Sequence, residues 1–227
     1  MKKYLVVGNP IKHSLSPELH NFWIKSNNIS AVYEKKQTND DELGDLILEM
    51  KKKILHGINV TVPFKKTIIT HLDHLSFESE KTQSVNTIYL NNNKIIGHNT
   101  DIEGFERSIK KSKLDIENKK VFILGAGGVV PSIIFALNKM KVPKIIISNR
   151  TKSKAESLKD LFKDLKIVDW GEVPDFDIII NATSVGLKKE DEINLDFSKV
   201  GKNKFFYDVI YNPSETNFLK IGKEMGS

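Results

Sequence analysis

A lysine, an amide and a hydroxyl stand close together at the end of an apolar stretch near residue 60. In residues 57–65, apolar side chains alternate with Asn59 and Thr61 in the two-residue period of a β-strand. Pro63 ends the strand, and Phe64-Lys65-Lys66 resembles the start of a short helix. An ammonium group aimed into a cleft can stabilise negative charge on an oxygen and donate a proton to it. We therefore take Lys65 as a candidate catalytic residue.

Further polar side chains follow other predicted strands. Ser14 and Ser16 stand two residues apart after the first strand, so both hydroxyls can face one way and bind a carboxylate. Ser16 is equally typical of a helix N-cap, as is Asp101 at the start of a later helix. Residues 84–87 and 97–101 supply more hydroxyl, amide and carboxylate groups.

A strand, a glycine turn and a helix follow one another from Val121. The run Gly125-Ala-Gly-Gly128 allows a tight turn in which the backbone can approach a pyrophosphate at the positive end of the helix. The fingerprint favours Gly or Ala at position 130, where this chain has the bulkier Val130. The order of strand, turn and helix predicts a dinucleotide site.

The next strand ends in Ser148-Asn-Arg-Thr151, about 20 residues past the glycines. An NAD-selective site has Asp or Glu here, whereas this chain has Arg150 with Lys152 and Lys154 beside it. Positive charge and hydroxyl donors suit a 2′-phosphate, so the sequence predicts NADP; the alternative is that Arg150 only solvates a strand end. Residues 181–186 end a later strand, and they either contact the cofactor or form an ordinary turn.

The elements that position these groups predict an α/β fold of two domains. The N-terminal α/β substrate domain, residues 1–101, has a mixed sheet with a hairpin around Asn91-Asn-Asn93. The C-terminal NADP domain, residues 102–227, has Val-, Ile- and Phe-rich strands alternating with helices, which predicts a Rossmann-like, doubly wound parallel sheet. We expect the boundary within a connecting helix near residues 100–112. The predicted strands are 4–7, 31–35, 58–62, 85–90, 94–96, 121–124, 144–148, 166–169, 177–181 and 205–210, and the predicted helices begin at Ser16 or span 40–52, 101–111, 131–141, 153–165 and 214–226.

The composition limits the classes of partner. The formal net charge is +6, but the lysines are scattered and no basic stripe is interleaved with aromatic residues, so no nucleic-acid partner is predicted. The absence of cysteine excludes disulfides and thiolate metal sites, and no metal is expected. The N-terminal apolar run is too short for a signal peptide or a membrane span, which predicts a cytoplasmic protein with no membrane partner.

Taken in chain order, the motifs resemble those of the shikimate dehydrogenase family over essentially the whole length. The individual motifs are weak, and their joint order is specific. They are Ser14-Leu-Ser16-Pro17, Asn59-Val-Thr61-Val-Pro-Phe-Lys65, Val85-Asn86-Thr87, Asn99-Thr-Asp101, Gly125-Ala-Gly-Gly128, Asn149-Arg-Thr151, Asn181-Ala-Thr-Ser-Val-Gly186 and Asp208-Val-Ile-Tyr211-Asn-Pro213.

The resemblance implies the reversible NADPH-dependent reduction of 3-dehydroshikimate to shikimate, in chorismate and aromatic amino-acid biosynthesis. It implies Lys65 and Asp101 as the catalytic pair, a small-molecule substrate as the partner, and a monomer or a homodimer. The implied substrate-binding residues are Ser14, Ser16, Thr61, Lys65, Asn86, Asp101 and Tyr211. The implied NADP(H)-binding residues are Gly125, Ala126, Gly127, Gly128, Val129, Asn149, Arg150, Thr151, Lys152, Ser153, Lys154, Thr183 and Val209.

Two other functions stay open at this point. A quinate/shikimate dehydrogenase would accept a further hydroxyl and tolerate NAD, although Arg150 and the two serines argue against it. A non-catalytic dinucleotide-binding sensor would keep the fold alone. The family pattern continues after Tyr211-Asn-Pro with a glycine loop and a glutamine-bearing helix that returns to the first domain; neither follows here, so we expect a truncated C-terminal helix.

Overall fold

The computed structural model describes residues 1–226, and the chain divides into two compact units, Met1–Ile102 and Glu103–Ser227. Within residues 1–226, no helix is long and apolar enough to cross a membrane.

Six strands and three helices make up most of the first unit. The strands are β1 (Lys2–Gly8), β2 (Ala31–Gln37), β3 (Gly57–Val60), β4 (His74–Leu75), β5 (Thr87–Asn91) and β6 (Lys94–His98), and the helices are α1 (Ser16–Ser26), α2 (Leu43–Lys51) and α3 (Phe77–Thr82). The strands form one sheet in the order β2-β1-β3-β5-β6-β4. The first three are parallel, while β5 is antiparallel to both β3 and β6, so the predicted mixed sheet is confirmed.

The core of the first unit follows from the apolar periods of its elements. Leu43, Leu46, Ile47 and Met50 recur at helical spacing on α2, and all four are buried, as the pattern predicts. The alternating residues Ile58 and Val60 of β3 are buried in the same cluster. The β5–β6 hairpin turns through two asparagines in the left-handed region, with φ of 48° at Asn92 and 59° at Asn93.

Several predicted boundaries in this unit are wrong. The strand predicted for residues 58–62 ends at Val60, and Lys65 lies in a turn ahead of a 3-10 helix, Thr67–His71, instead of in a helix itself. The helix predicted from residue 40 starts as a 3-10 turn, Asp40–Glu42, because Asn39 and Glu42 form a capping box there. The short β4 and α3 were not predicted, since two and six residues are too few to establish a period.

The second unit is built on a parallel sheet. Its strands are β7 (Lys120–Leu124), β8 (Lys144–Ser148), β9 (Leu165–Val168), β10 (Ile178–Asn181) and β11 (Phe205–Asp208), in the order β11-β10-β7-β8-β9. Nearly every residue of β7, β8 and β10 is buried, as expected of parallel strands covered on both faces. All pairings are parallel, so the predicted parallel sheet and the α/β class are confirmed.

Four helices accompany these strands: α4 (Asp101–Lys111), α5 (Val130–Lys139), α6 (Lys152–Glu156) and α7 (Asn217–Glu224). The division between the two units falls inside α4, after Ile102. The helix predicted for residues 153–165 is wrong in extent, because α6 gives way to a 3-10 turn at Ser157–Asp160. The helix predicted from residue 214 begins later, at Asn217, where the Thr216 side chain caps it.

Candidate active site

Lys65 and Asp101 form a direct ion pair in the first unit. The Lys65 Nζ lies 2.6 Å from the Asp101 Oδ2, and the two side chains are only 10% and 23% exposed. The other carboxylate oxygen, Oδ1, accepts a hydrogen bond of 2.8 Å from the Asn86 amide. A short contact between opposite charges that are partly shielded from water is stronger than one on an open surface. These three sequence-predicted residues therefore lie together.

The backbone around this pair is tied down at several points. Lys65 follows the buried Phe64, and its carbonyl accepts a hydrogen bond of 2.8 Å from the Val85 N–H. Asp101 begins α4, and its N–H donates to the Asn99 side chain at 3.0 Å. Asp101 is the first residue of α4 and not the residue before it, so the interpretation of Asp101 as an N-cap is wrong, and its carboxylate instead binds Lys65 and Asn86.

Ser14 and Ser16 occupy the loop that joins β1 to α1. The Ser14 Oγ accepts the Ser16 N–H at 3.3 Å, and Ser14 is 6% exposed. Ser16 is the first residue of α1 and Leu15 holds the N-cap position, so the N-cap reading of Ser16 is also wrong.

Thr61 brings the end of β3 against the end of β1. Its N–H donates to the Val7 carbonyl at 2.9 Å, and a Cβ placed on Gly8 would lie only 2.6 Å from the Thr61 Cγ2. Gly8 therefore allows a close approach that no larger residue would permit. Because β1 and β3 are parallel, the loops that carry Ser14, Ser16 and Thr61 leave the same edge of the sheet.

Two residues near this site were missed by sequence reasoning. The Tyr33 hydroxyl on β2 donates to the Asn59 Oδ1 at 2.6 Å, and His20 stacks on the Tyr33 ring with centroids 4.1 Å apart and planes at 4°. No pattern could have found Tyr33, because an aromatic residue on a strand is typical of packing, and His20 on α1 is significant only through its contact with Tyr33.

The glycine turn of the second unit has the geometry that its sequence predicts. Gly125 has φ of +111°, and a Cβ there would lie 2.9 Å from the Ala182 carbonyl oxygen. A Cβ on Gly127 would meet nothing within 4 Å. Ala126, Gly128 and Val129 complete the turn before α5. The backbone at Gly127 is therefore open on its outer side and lies just before the ten-residue helix α5, which suits the binding of a pyrophosphate. Val130 is fully buried at the start of α5 and is accommodated in the core.

The basic residues after β8 are exposed. Within residues 1–226, Arg150 and Lys154 form no ion pair, whereas Lys152 pairs with Asp169 at 2.7 Å. The Asn149 side chain donates to the Thr151 carbonyl at 2.7 Å and thereby fixes the loop. Thr151 and Ser153 are exposed beside them. The positive charges of Arg150 and Lys154 are therefore available to bind a phosphate.

The carboxyl ends of β10 and β11 are linked by buried polar groups. The Asp208 carboxylate accepts hydrogen bonds from Thr216 at 2.7 Å, from the Ile210 N–H at 2.9 Å and from Asn181. Burial nonetheless raises the pKa of Asp208 above its usual range. Thr183 donates to the Asn181 Oδ1 at 2.7 Å, and the Thr183 methyl group lies against Gly125.

Two further predicted residues lie beyond β11. Val209 is half-buried, and its N–H donates to the Asn181 carbonyl at 3.1 Å. Tyr211 is 64% exposed. Gly125, Asn149, Thr183 and Val209 therefore all follow strands that end at one edge of the parallel sheet, which is where ligands bind in open α/β sheets.

Comparison with known proteins assigns both units to the same family. The family model described as the shikimate dehydrogenase substrate binding domain matches residues 6–88, and the one described as shikimate / quinate 5-dehydrogenase matches residues 108–209. The shikimate dehydrogenase (NADP(+)) of Pelagibacter ubique is 60% identical over 225 residues, which are 99% of this chain and 85% of that protein.

Solved structures agree with these matches. The shikimate dehydrogenase of Aquifex aeolicus superposes with a TM-score of 0.89 at 37% identity, covering all of this chain and 85% of that one. The enzyme of Thermus thermophilus, solved with NADP(H) and shikimate, has a TM-score of 0.89 at 30% identity over the same shares.

The chain has a parallel-sheet unit with a glycine turn and a unit that holds a lysine–aspartate pair, and its NADP(+)-dependent relatives place it among the NADP-dependent oxidoreductases acting on a CH–OH group. More narrowly, the chain belongs to the shikimate dehydrogenase family. The predicted family, activity and NADP dependence are thereby confirmed.

Proposed function

We propose that Lys65 and Asp101 carry the chemistry of the family's reaction, the reversible NADPH-dependent reduction of 3-dehydroshikimate to shikimate. The observation that supports this proposal is the 2.6 Å contact between the Lys65 Nζ and the Asp101 Oδ2, on side chains that are mostly shielded from water. A non-catalytic sensor would have no need to keep a lysine and an aspartate together in this way.

The residue types account for the proton side of the reaction. NADPH, when bound, supplies the hydride. Reduction of a ring ketone places negative charge on its oxygen, and the Lys65 ammonium group stabilises that charge and donates the proton. Asp101 orients the ammonium group through one oxygen and accepts a hydrogen bond from Asn86 at the other. In the oxidation direction, Lys65 accepts the proton of the substrate hydroxyl.

Binding roles follow from the types of group available. The Ser14 and Ser16 hydroxyls and the Tyr211 phenol suit the substrate carboxylate, because each can donate a hydrogen bond to it. Thr61 and Asn86, together with the catalytic pair, suit the ring hydroxyls. The support for this assignment is that Thr61, Asn86 and Asp101 all lie at the strand ends that surround Lys65.

In the second unit, the turn 125–129 is assigned to the pyrophosphate and the loop 149–154 to the 2′-phosphate. The open backbone at Gly127 supports the first assignment. The second is supported by Arg150, which is exposed and forms no ion pair with any residue from 1 to 226. Thr183 and Val209 are assigned to the nicotinamide side, since both follow strands at the edge that carries the glycine turn.

A quinate/shikimate dehydrogenase is the second candidate, because the family description that matches residues 108–209 names both substrates. Initial rates with shikimate and quinate, each with NADP and NAD, separate the two candidates. We expect the combination of shikimate and NADP to have the highest kcat/KM. Comparable values with quinate would favour the broader activity.

The decisive variant is Lys65→Ala, with Lys66→Ala as the matched control. Loss of the proton donor should lower kcat for NADP-dependent oxidation of shikimate by about 10²- to 10⁴-fold. Lys66 is exposed and adjacent, so its removal should leave kcat within about twofold. NADP affinity, measured by calorimetry, should match the parent in both variants.

Equal activity of the two alanine variants would remove Lys65 from the mechanism. A thermal unfolding scan of each variant distinguishes lost chemistry from lost folding, since Asp101 is left without its ammonium partner in the first variant.

A further inference from the structure

Hydrogen bonds extend from the catalytic pair back into the first unit and end at Tyr33. They run from Tyr33 to Asn59, from Asn59 to Thr87, from Thr87 to Asn86, and from Asn86 to Asp101. We propose that Tyr33 is a positioning residue: its buried hydroxyl fixes the side-chain orientations of Asn59 and Asn86, and through them it orients the Asp101 carboxylate toward Lys65. This proposal rests on the roles of Lys65, Asp101 and Asn86 proposed above.

The first link needs a hydroxyl group. Tyr33 is 4% exposed and packs against Val6 and Ile11, which a phenylalanine would do equally well. Its hydroxyl instead donates to the Asn59 Oδ1 at 2.6 Å. Burying a hydroxyl is favourable only when it finds such a partner, so the packing of the ring does not explain it. Burial raises the pKa of Tyr33 well above its usual value, so the group stays a donor at any working pH.

The second link passes the orientation to Thr87. Because the Asn59 oxygen is held by Tyr33, its NH₂ group points the other way, donating to the Thr87 Oγ1 at 3.0 Å and to the Asn86 carbonyl at 3.2 Å. The Thr87 hydroxyl accepts that bond and donates its own proton to the Asn86 Oδ1 at 3.0 Å. A reversed Asn59 amide would put two acceptors against each other at Thr87, unless the hydroxyl abandoned Asn86.

The third link reaches the catalytic carboxylate. The Asn86 Oδ1 accepts from Thr87 and from the Thr100 N–H at 2.9 Å, so its NH₂ group faces Asp101. Reversal of the amide would set its oxygen against the carboxylate and remove the 2.8 Å bond. Every donor from Tyr33 onward points toward Asp101, an arrangement in which hydrogen bonds polarise and strengthen one another.

Tyr33 is itself held rigidly from α1. The Asn21 side chain donates to the Tyr33 carbonyl at 2.8 Å and accepts the Tyr33 N–H at 3.0 Å. His20 covers one face of the ring in a parallel stack. A group held in this way can transmit orientation, because its own rotamer is locked by packing.

The test is a double-mutant cycle on kcat/KM for shikimate. Tyr33→Phe should lower this value by about three- to tenfold, the effect of one buried hydrogen bond, and leave KM for NADP unchanged. In an Asn86→Ala background the same substitution should cost less than about twofold, because the residue through which it acts is gone. Tyr4→Phe is the control, since Tyr4 packs in the same cluster but lies off this chain of hydrogen bonds.

Thr87→Val breaks the same series of hydrogen bonds at its middle and serves as a second variant if Tyr33→Phe folds poorly. Valine is well tolerated at a strand position. We expect the same loss, and the same disappearance of that loss in the Asn86→Ala background. An equal loss in both backgrounds, or no loss from either substitution in the parent, overturns the proposal. An Asn86→Ala variant with full activity overturns it as well and also removes Asn86 from the proposed function. Retained activity in Lys65→Ala would instead contradict the catalytic assignment on which this proposal rests, and it is measured without any change at Tyr33, Thr87 or Asn86.

Discussion

At the scale of single residues, the two assigned sites use charge in opposite ways. Lys65 is 8% exposed and bound to Asp101, so its position is fixed before any substrate arrives. Arg150 is exposed and, within the described residues, has no carboxylate partner. A preorganised ammonium group suits chemistry at one atom, whereas a free guanidinium suits capture of a phosphate, because its planar fork can bind two oxygens.

Arg150→Ala is expected to raise KM for NADP by roughly 10- to 100-fold and to leave KM for NAD little changed. The physical reason is the loss of charge-assisted hydrogen bonds to a phosphate that only NADP carries. Arg107→Ala is the matched control, since Arg107 is an exposed arginine of the same unit that pairs with Glu103 at 2.6 Å. Equal changes in KM for both cofactors would contradict the assignment of Arg150 to the 2′-phosphate.

At the scale of elements, the residues assigned to the sites lie at strand ends, and helix α1 holds one residue beside them in place. Lys65 follows β3, Asn86 precedes β5 and Asp101 starts α4, so three loops meet at one sheet edge. Helix α1 buries none of its residues fully, yet its Asn21 and His20 hold the Tyr33 backbone and ring. Helix α1 therefore acts on Tyr33 through specific contacts and contributes little buried apolar surface.

Protonation of His20 should weaken this attachment. Partial burial lowers the pKa of His20 in the folded protein. Below about pH 6.5, the unfolded chain therefore binds a proton at His20 more readily than the folded chain does. Stability is therefore expected to fall as the pH drops through that value. His20→Phe keeps a ring over Tyr33 and should flatten this part of the pH dependence of the unfolding temperature, while His13→Ala, in an exposed loop, should not. An unchanged slope in His20→Phe would contradict the argument.

At the scale of the whole molecule, the chain is two compact units, with the Lys65–Asp101 ion pair in the first and the glycine turn in the second. The division of roles into a substrate domain and an NADP domain is a proposal, as are a cytoplasmic location and a monomeric or homodimeric state. The net charge of +6 is the difference between 35 basic and 29 acidic residues. A positive net charge is compatible with an anionic substrate and a phosphorylated cofactor.

Hydrogen exchange should show which unit binds NADP and which binds shikimate. NADP at about 100 times its Kd adds about 2.7 kcal/mol to the stability of the state that binds it. We expect the strongest protection by NADP in segments 125–129 and 149–154, and the strongest protection by shikimate in segments 14–16, 61–65 and 86–101. Protection by NADP confined to residues 1–102 would contradict the assignment of the cofactor to the second unit.

The sequence by itself determined the α/β class, the parallel sheet and the candidate pair Lys65 and Asp101. Apolar periods and glycine turns are local signals, and the order of the polar motifs identified the family. Only the tertiary structure decided that Asp101 and Ser16 do not occupy N-cap positions, since a cap and a binding group look alike in sequence until their partners are known.

The hydrogen bonds from Tyr33 to Asp101 also belong to the tertiary structure alone. They join residues 26 and 28 positions apart along the chain, at Tyr33–Asn59 and at Asn59–Thr87. Pairing of β1 with both β2 and β3, and of β3 with β5, brings these side chains within reach of one another. No local pattern encodes such contacts, because they depend on which strands become neighbours in the sheet.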